Sequence, residues 1–357
     1  MARVYLLHGK YAMTIGQYGL SRGWLETAAS LFERAGEPER EAVARLRLAT
    51  LQGHLGALAE AETLARTTLR LSSMSLVRGR ACGILAAVAL LRDEFELTLR
   101  LVDRALHHLR QVPEDATAHG DLAEVYLLQA RTYRVVGRPR RASTALERAR
   151  RHASRSGDRR IEVDAGARQG RLLVDMRKES DAELELREAR VTALEIEYPR
   201  GEALASLFLG TLLAENDDPE APRILERTTG LAEEIGAGRV EALGLAIRAR
   251  VALQEGDLET AEELSMRAHQ LFSRLGGELA DRVVVVATRA LVLEGIGRSS
   301  ESESLMASLE RRVRRVNEAI RAPILRQRHR RATGSLLRAA RTTDGPVNPR
   351  LGLRELR

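Results

Sequence analysis

The chain lacks the features that mark secreted, disulfide-bonded and membrane-spanning proteins. Cys82 is its one cysteine, so no internal disulfide bond can form. Membrane-spanning helices need roughly 20 consecutive apolar residues, and the apolar run at residues 283–287 is only five residues long. The first ten residues lack the apolar segment and the cleavage site of a secretory signal. We therefore expect a cytoplasmic protein without a membrane span.

Proline and aromatic residues are also scarce. The 357 residues include nine prolines, and Phe, Trp and Tyr together make up 3% of the chain. Abundant Ala, Leu, Glu and Arg favour helix throughout, and few aromatic side chains are available to line an apolar ligand pocket. The composition therefore predicts an all-helical protein.

The sequence motifs of catalysis are missing as well. The eight histidines are scattered, without the spacing of a metal site. No Gly-rich phosphate loop is followed by Lys-Ser or Lys-Thr, and serines such as Ser299 lie outside any nucleophile-elbow sequence. We therefore expect a protein that is not an enzyme and that uses no cofactor and no metal ion.

What the chain does have is an internal repeat. The segment Gly-Asp-Leu-Glu-Thr-Ala, residues 256–261, recurs along the chain in more degenerate copies. We call the last residue of each copy its anchor. Successive anchors lie 33, 37, 44, 40, 39, 40 and 41 residues apart. A near-constant period of this length is typical of a solenoid of stacked helix pairs. The eight anchors are Ala28, Ala61, Thr98, Ala142, Ala182, Ala221, Ala261 and Ser302.

Two further positions accompany each anchor. Five residues before it is a predicted turn, and six of the eight residues there are Gly or Asn, which reach positive φ most cheaply. Twelve residues before the anchor, small residues predict a close crossing of two helices. The turn positions are Gly23, Gly56, Asp93, Gly137, Arg177, Asn216, Gly256 and Gly297, and the crossing positions are Gly16, Ala49, Ala86, Ala130, Gly170, Leu209, Ala249 and Ala290. Leu209 breaks the pattern, and Gly210 beside it indicates a slip of one residue.

This pattern resembles the tetratricopeptide repeat (TPR), a helix-turn-helix unit with small residues where its helices cross. The resemblance implies a right-handed α-solenoid of about eight repeats over residues 1–315, followed by a basic capping helix and a loose tail at 316–357. Most repeats here run near 40 residues instead of about 34. Such long repeats are similar to the sensor arrays of the maltose-regulator-like bacterial proteins.

The resemblance also implies a function, that of a protein-interaction scaffold or sensor in bacterial signalling or regulation. In TPR arrays the first helix of each pair lines a groove, and the residue eleven before the anchor faces it. That position holds Arg131, Arg171 and Arg250, with Arg134 one turn from Arg131. Arginine binds carboxylates through paired hydrogen bonds, so an acidic peptide or protein segment is the implied guest.

A second interpretation of these arginines is that they pair with carboxylates of the protein itself. Glu124 and Asp164 lie one or two turns earlier on the same predicted helices, where opposite charges can meet. The sequence leaves both interpretations open.

The excess of positive charge lies at the C-terminal end. The chain carries +7, yet residues 311–357 hold fourteen arginines and only three carboxylates, so the remainder is net negative. Clustered arginines can neutralise nucleic-acid phosphates, which gives an alternative function, a nucleic-acid-associated regulator. The other interpretation is a solvated final helix with a loose terminus. The candidate anion-binding residues are Arg311, Arg312, Arg314, Arg315, Arg326, Arg328, Arg330 and Arg331.

Overall fold

The computed structural model describes residues 1–14, 17–323 and 326–331. Within these ranges the chain forms sixteen helices and no strand, and residues 326–331 are also helical. The predicted all-α fold is therefore confirmed. The helices are α1 (Ala2–Thr14), α2 (Tyr18–Arg34), α3 (Pro38–Leu55), α4 (Leu58–Leu71), α5 (Ser75–Leu91), α6 (Phe95–Leu109), α7 (Ala116–Val135), α8 (Pro139–Ser156), α9 (Arg159–Asp175), α10 (Glu179–Glu195), α11 (Pro199–Glu215), α12 (Ala221–Glu234), α13 (Gly238–Glu255), α14 (Leu258–Leu275), α15 (Leu279–Gly295) and α16 (Ser299–Ala319).

The chain forms two compact units, residues 1–128 and 129–357, and the division falls within α7. In the first unit α1 to α6 pack in succession, and in the second unit α8 to α16 do the same. Helix α16 runs to Ala319, through the predicted domain boundary at residue 315. The predicted loose tail beyond residue 331 lies outside the described residues.

The anchors of the later repeats lie at the start of each second helix. Six of them are the fourth residue of that helix, and Ala221 is the first residue of α12. These seven side chains are all buried, because a small residue here lets the two helices of a pair approach each other closely. The six at the fourth position are Ala61, Thr98, Ala142, Ala182, Ala261 and Ser302.

The turns between paired helices follow the prediction in six repeats. Positive φ occurs at four of the predicted glycines, Gly56, Gly137, Gly256 and Gly297, and also at Asp93 (65°) and Arg177 (63°), which occupy the same position. In the sixth pair, positive φ falls on Asp217 instead of Asn216. The position in the repeat therefore fixes the backbone conformation even where glycine is absent.

The first repeat has a different register from the predicted one. Gly23 lies inside α2, so the predicted turn there is wrong. Ser21 is the fourth residue of α2, and its hydroxyl donates a hydrogen bond to the carbonyl of Gly9 over 2.8 Å. In the last pair, Ser302 donates in the same way to Ala290. The first anchor is therefore Ser21 instead of Ala28, and the first interval is 40 residues instead of 33.

Close helix crossings use glycines in the middle of the array. A Cβ atom added to Gly170 would lie 2.4 Å from Cγ of Leu186 on the paired helix. A Cβ atom added to Gly210 would lie 2.8 Å from Leu225, which confirms the one-residue slip beside Leu209. The predicted crossing residue of the first repeat, Gly16, lies outside the described residues.

We expect Arg177→Gly to raise the free energy of unfolding by about 0.5–1 kcal/mol. The left-handed conformation of a non-glycine residue costs about 1–2 kcal/mol, and glycine removes this cost. Glycine also makes the unfolded chain more flexible, which offsets about 0.5–1 kcal/mol of the stabilisation. Arg177 is exposed, so few packing contacts are lost. Urea unfolding measures the change. Gly256→Ala at the equivalent turn (φ 81°) should do the opposite, and a loss of stability in both variants would contradict the argument.

Candidate functional site

Five arginines and three carboxylates converge in the second unit. They lie on α7, α9, α13 and the start of α15, all of them first helices of their pairs. Helix α11 contacts both α9 and α13, and α13 contacts α15, so first helices pack side by side. We call this group the arginine cluster. Its members are Arg131, Arg134, Arg168, Arg171, Arg239, Asp175, Glu278 and Asp281.

Helical spacing explains how α9 supplies three of these groups. Arg168, Arg171 and Asp175 are separated by three and four residues, and such residues lie on one face of a helix. The same spacing brings Arg131 and Arg134 together on α7. With all groups ionised, the cluster holds two more positive than negative charges.

Two arginines of the cluster are held by carboxylates of the protein. Arg131 forms an ion pair with Glu278, which stands directly before α15 and is buried. Arg134 donates a hydrogen bond of 2.9 Å to Asp175, which is also buried. Pairing within the protein, the second interpretation of the sequence, therefore applies to Arg131 and Arg134, although these carboxylates are not the two that the sequence indicated.

Two other arginines make no ion pair within the described residues. The Nε of Arg171 and one terminal nitrogen of Arg239 are buried without a hydrogen-bond acceptor. The Arg171 guanidinium stands over the ring of Phe208, with its carbon 5.3 Å from the ring centroid. Burial lowers the pKa of both arginines. Donors in such a place gain strongly from an acceptor supplied by a ligand.

Arg250, predicted to face the groove, lies instead in the core. Its side chain is 1% exposed, and burial lowers its pKa to about 10. It therefore keeps its charge at neutral pH, but an anion could reach it only after α13 and its neighbours rearranged.

The pKa values of the two carboxylates at the start of α15 are shifted in opposite directions. Burial opposes the charge of Glu278, but Arg131 and Arg134 outweigh this effect and hold its pKa below the ordinary value. Burial and the nearby charge of Glu278 raise the pKa of Asp281 to about 6. Glu278 is therefore the stable anion of the pair, whereas Asp281 is close to taking up a proton at neutral pH.

The candidate residues of the C-terminal segment separate into three groups. Arg311, Arg312 and Arg315 line a cleft together, and Arg314, Arg330 and Arg331 are exposed. The other two make contacts within the protein. Arg326 donates to the carbonyl of Ile320, and Arg328 donates to the carbonyl of Gly137 over 3.3 Å.

Groups that could support metal or thiol chemistry do not assemble in the part of the chain that the structure describes. No cluster of three or more His, Cys, Asp or Glu side chains there could hold a metal ion. Cys82 is buried, as predicted, and burial raises the pKa of its thiol. Among the described helices, none combines the length and apolar character required to cross a membrane.

No protein-family profile and no curated protein sequence matches the chain. Solved structures, in contrast, are similar to it. A Rap protein complexed with competence and sporulation factor has a TM-score of 0.65 and 15% identity, covering 100% of this chain and 99% of its own. The Rap conjugation gene regulator of plasmid pLS20, in complex with the Phr* peptide, has a TM-score of 0.51 and 14% identity, covering 89% and 96%.

A third similar structure is a signal transduction ATPase with numerous domains that has a TPR sensor, from Pyrococcus horikoshii. Its TM-score is 0.51 with 14% identity, and the match covers 89% of this chain and 49% of that protein. The fold here is that of a TPR-like helical array. The resemblance to TPR proteins, including the sensor arrays with long repeats, is therefore confirmed at the level of fold.

Proposed function

We propose that the chain is a non-catalytic sensor that binds an acidic peptide or protein segment at the arginine cluster. The observation that supports this most is the pair of buried donors on Arg171 and Arg239, which have no acceptor among the described residues. A carboxylate of the guest would accept hydrogen bonds from these guanidinium groups. The cluster's surplus of two positive charges favours such a guest over a neutral one.

The protein's own carboxylates suggest how binding would be sensed. Glu278 already forms an ion pair with Arg131, and it connects the C-terminal part of α7 to the start of α15. A guest carboxylate that competed for Arg131 would weaken this connection, and so favour a different arrangement of the first helices. A ligand shifts such an equilibrium only through its different affinities for the two states.

The similar structures support a binding role in bacterial regulation. One is a Rap regulator of conjugation genes in complex with a peptide, and another is a Rap protein complexed with a competence and sporulation factor. The third carries a TPR sensor. An array of this fold is thus suited to hold a peptide or protein, and we assign this chain to the same broad role.

The test uses the full-length protein and fluorescent 12-residue peptide libraries. One library carries two glutamates at fixed positions, and its matched library carries glutamine there. We expect the wild-type chain to bind members of the glutamate library more tightly than their glutamine counterparts. The variant Arg171→Gln/Arg239→Gln should lose on the order of tenfold affinity per arginine, because a hydrogen bond to a charged group contributes about 1.5–3 kcal/mol.

The matched control is Arg151→Gln, which removes an exposed arginine on the second helix α8 and should leave affinity within about twofold. Equal binding of both libraries, or an equal loss in the control, would overturn the role of the cluster.

Capture of partners from source-cell lysate, with and without nuclease, tests the alternative function. Recovery that disappears with nuclease would favour the nucleic-acid-associated regulator.

A further inference from the structure

A second charged site is a cleft between α14, α15 and α16. Its volume is about 400 Å³, which is within the range of small-molecule sites. The residues from α16 are spaced by three and four positions and so share one face of that helix. The lining residues are His269, Arg282, Val286, Leu305, Ser308, Leu309, Arg311, Arg312 and Arg315.

The charge of this cleft is one-sided. Four arginines and a histidine line it, and no carboxylate does. Arg311 and Arg315 are exposed and make no ion pair among the described residues. Arginines nearby behave differently, since Arg289 lies beside Glu262, and Arg298 pairs with both Glu262 and Glu301. Arg311 and Arg315 thus bring positive charge to a cleft whose lining contains no carboxylate.

The remaining lining residues indicate what else a ligand would need. Val286, Leu305 and Leu309 give the cleft an apolar part, and Ser308 provides a hydroxyl group. Arg282 is held in place by the ring of Phe272, with its guanidinium carbon 5.3 Å from the ring centroid. The site therefore combines a partly fixed cationic wall with an apolar surface.

We propose that this cleft binds a small organic phosphate, up to the size of a nucleoside monophosphate. A phosphate dianion offers three terminal oxygens and can accept hydrogen bonds from several arginines at once, whereas one carboxylate offers two oxygens. The apolar residues would contact the organic part of the ligand. None of the lining residues is Phe, Tyr or Trp, so the cleft lacks the large aromatic side chains on which the bases of single-stranded nucleic acid usually stack.

The experiment is isothermal titration calorimetry with the full-length protein at about 0.1 M salt, a concentration at which surface charges are screened over about 10 Å. The probes are ribose 5-phosphate, adenosine 5′-monophosphate, adenosine and a single-stranded oligonucleotide. We expect at least one of the two phosphorylated probes to bind, and adenosine not to bind. Arg311→Gln/Arg315→Gln should weaken binding by on the order of tenfold per arginine.

Arg314→Gln is the matched control, because Arg314 is an exposed neighbour on α16 that does not line the cleft. Affinity in this variant should stay within about twofold. The proposal is overturned if neither phosphorylated probe binds, if the control loses as much affinity as the double variant, or if only the oligonucleotide binds. Thermal unfolding of each variant checks that the fold is kept. The result is independent of the peptide experiment, which changes Arg171 and Arg239.

Discussion

Glu278→Gln is expected to lower the free energy of unfolding by about 3 kcal/mol. Removing one partner of a buried ion pair costs about 3–5 kcal/mol because the other charge is left without compensation. The lower figure applies because the side chain of Arg131 is 29% exposed and keeps some access to water. The pKa of Glu278 is lowered in the folded protein, so its contribution is full above the unfolded value of 4.5 and is lost as the pH falls below it.

Urea unfolding at pH 7 measures this effect, and a double-mutant cycle assigns it to the ion pair. Combined with Arg131→Met, the Glu278 substitution should show a coupling energy of about 1–3 kcal/mol. Glu263→Gln removes an exposed carboxylate and should change stability by less than about 0.5 kcal/mol. Additive effects of the two cluster substitutions would show that the pair contributes nothing of its own.

Asp281→Asn, three residues after Glu278 and in the first turn of α15, should have the opposite effect and raise the free energy of unfolding at pH 8 by about 2–3 kcal/mol. Burial and the charge of Glu278 raise the pKa of Asp281 from 3.8 to about 6. Each pKa unit corresponds to about 1.4 kcal/mol, so the ionised group carries about 3 kcal/mol of cost in the folded state. Asparagine has a similar shape and no charge, and avoids this cost.

The pH dependence of that effect follows from the same pKa values. Because the folded protein binds this proton more tightly than the unfolded chain, the cost is complete above pH 6 and disappears as the pH falls toward 3.8. The advantage of Asp281→Asn should therefore be about half as large at pH 5 and nearly gone at pH 4. Unfolding curves of both proteins at pH 8, 5 and 4 test this.

In the difference between the variant and the wild-type chain, the contributions of other titrating groups to the free energy of unfolding cancel. His329 is buried, and burial lowers its pKa to about 4, so it destabilises both proteins equally as the pH falls through 6.5. A constant difference between the two proteins from pH 8 to pH 4 would show that Asp281 does not titrate near 6.

The helix pairs could be predicted from the sequence because their determinants are local. A small anchor and a turn residue at fixed spacing specify one crossing and one turn, and six of the eight predicted anchors are the fourth residue of their second helix. In the first repeat, Ala28 and Ser21 differ by seven residues, which is about two helical turns. Both therefore lie on the same face of α2, and the register is visible only in the structure, from the start of α2 at Tyr18 and the hydrogen bond from Ser21 to Gly9.

The arginine cluster could be predicted only in part. Arg131, Arg134 and Arg171 follow from the position in the repeat, and Arg168 lies one turn before Arg171, where helical spacing could have revealed it. Glu278 is 147 residues from Arg131, and no local pattern connects residues so far apart. Arg250 shares the repeat position of Arg131 and Arg171. However, its helix α13 packs between α11 and α15, and the Arg250 side chain is buried there.

The ion pair between Arg131 and Glu278 also has a consequence for how the second unit comes apart. Stacked repeats that touch only their neighbours can fray from either end, one pair at a time. Here the ion pair connects α7 to the start of α15, and Arg328, beyond the last helix pair, donates a hydrogen bond to the carbonyl of Gly137, two residues after the end of α7. The final pair cannot peel away without releasing the first helix as well. We therefore expect the first and last helices of the second unit to unfold together in one cooperative step instead of fraying separately.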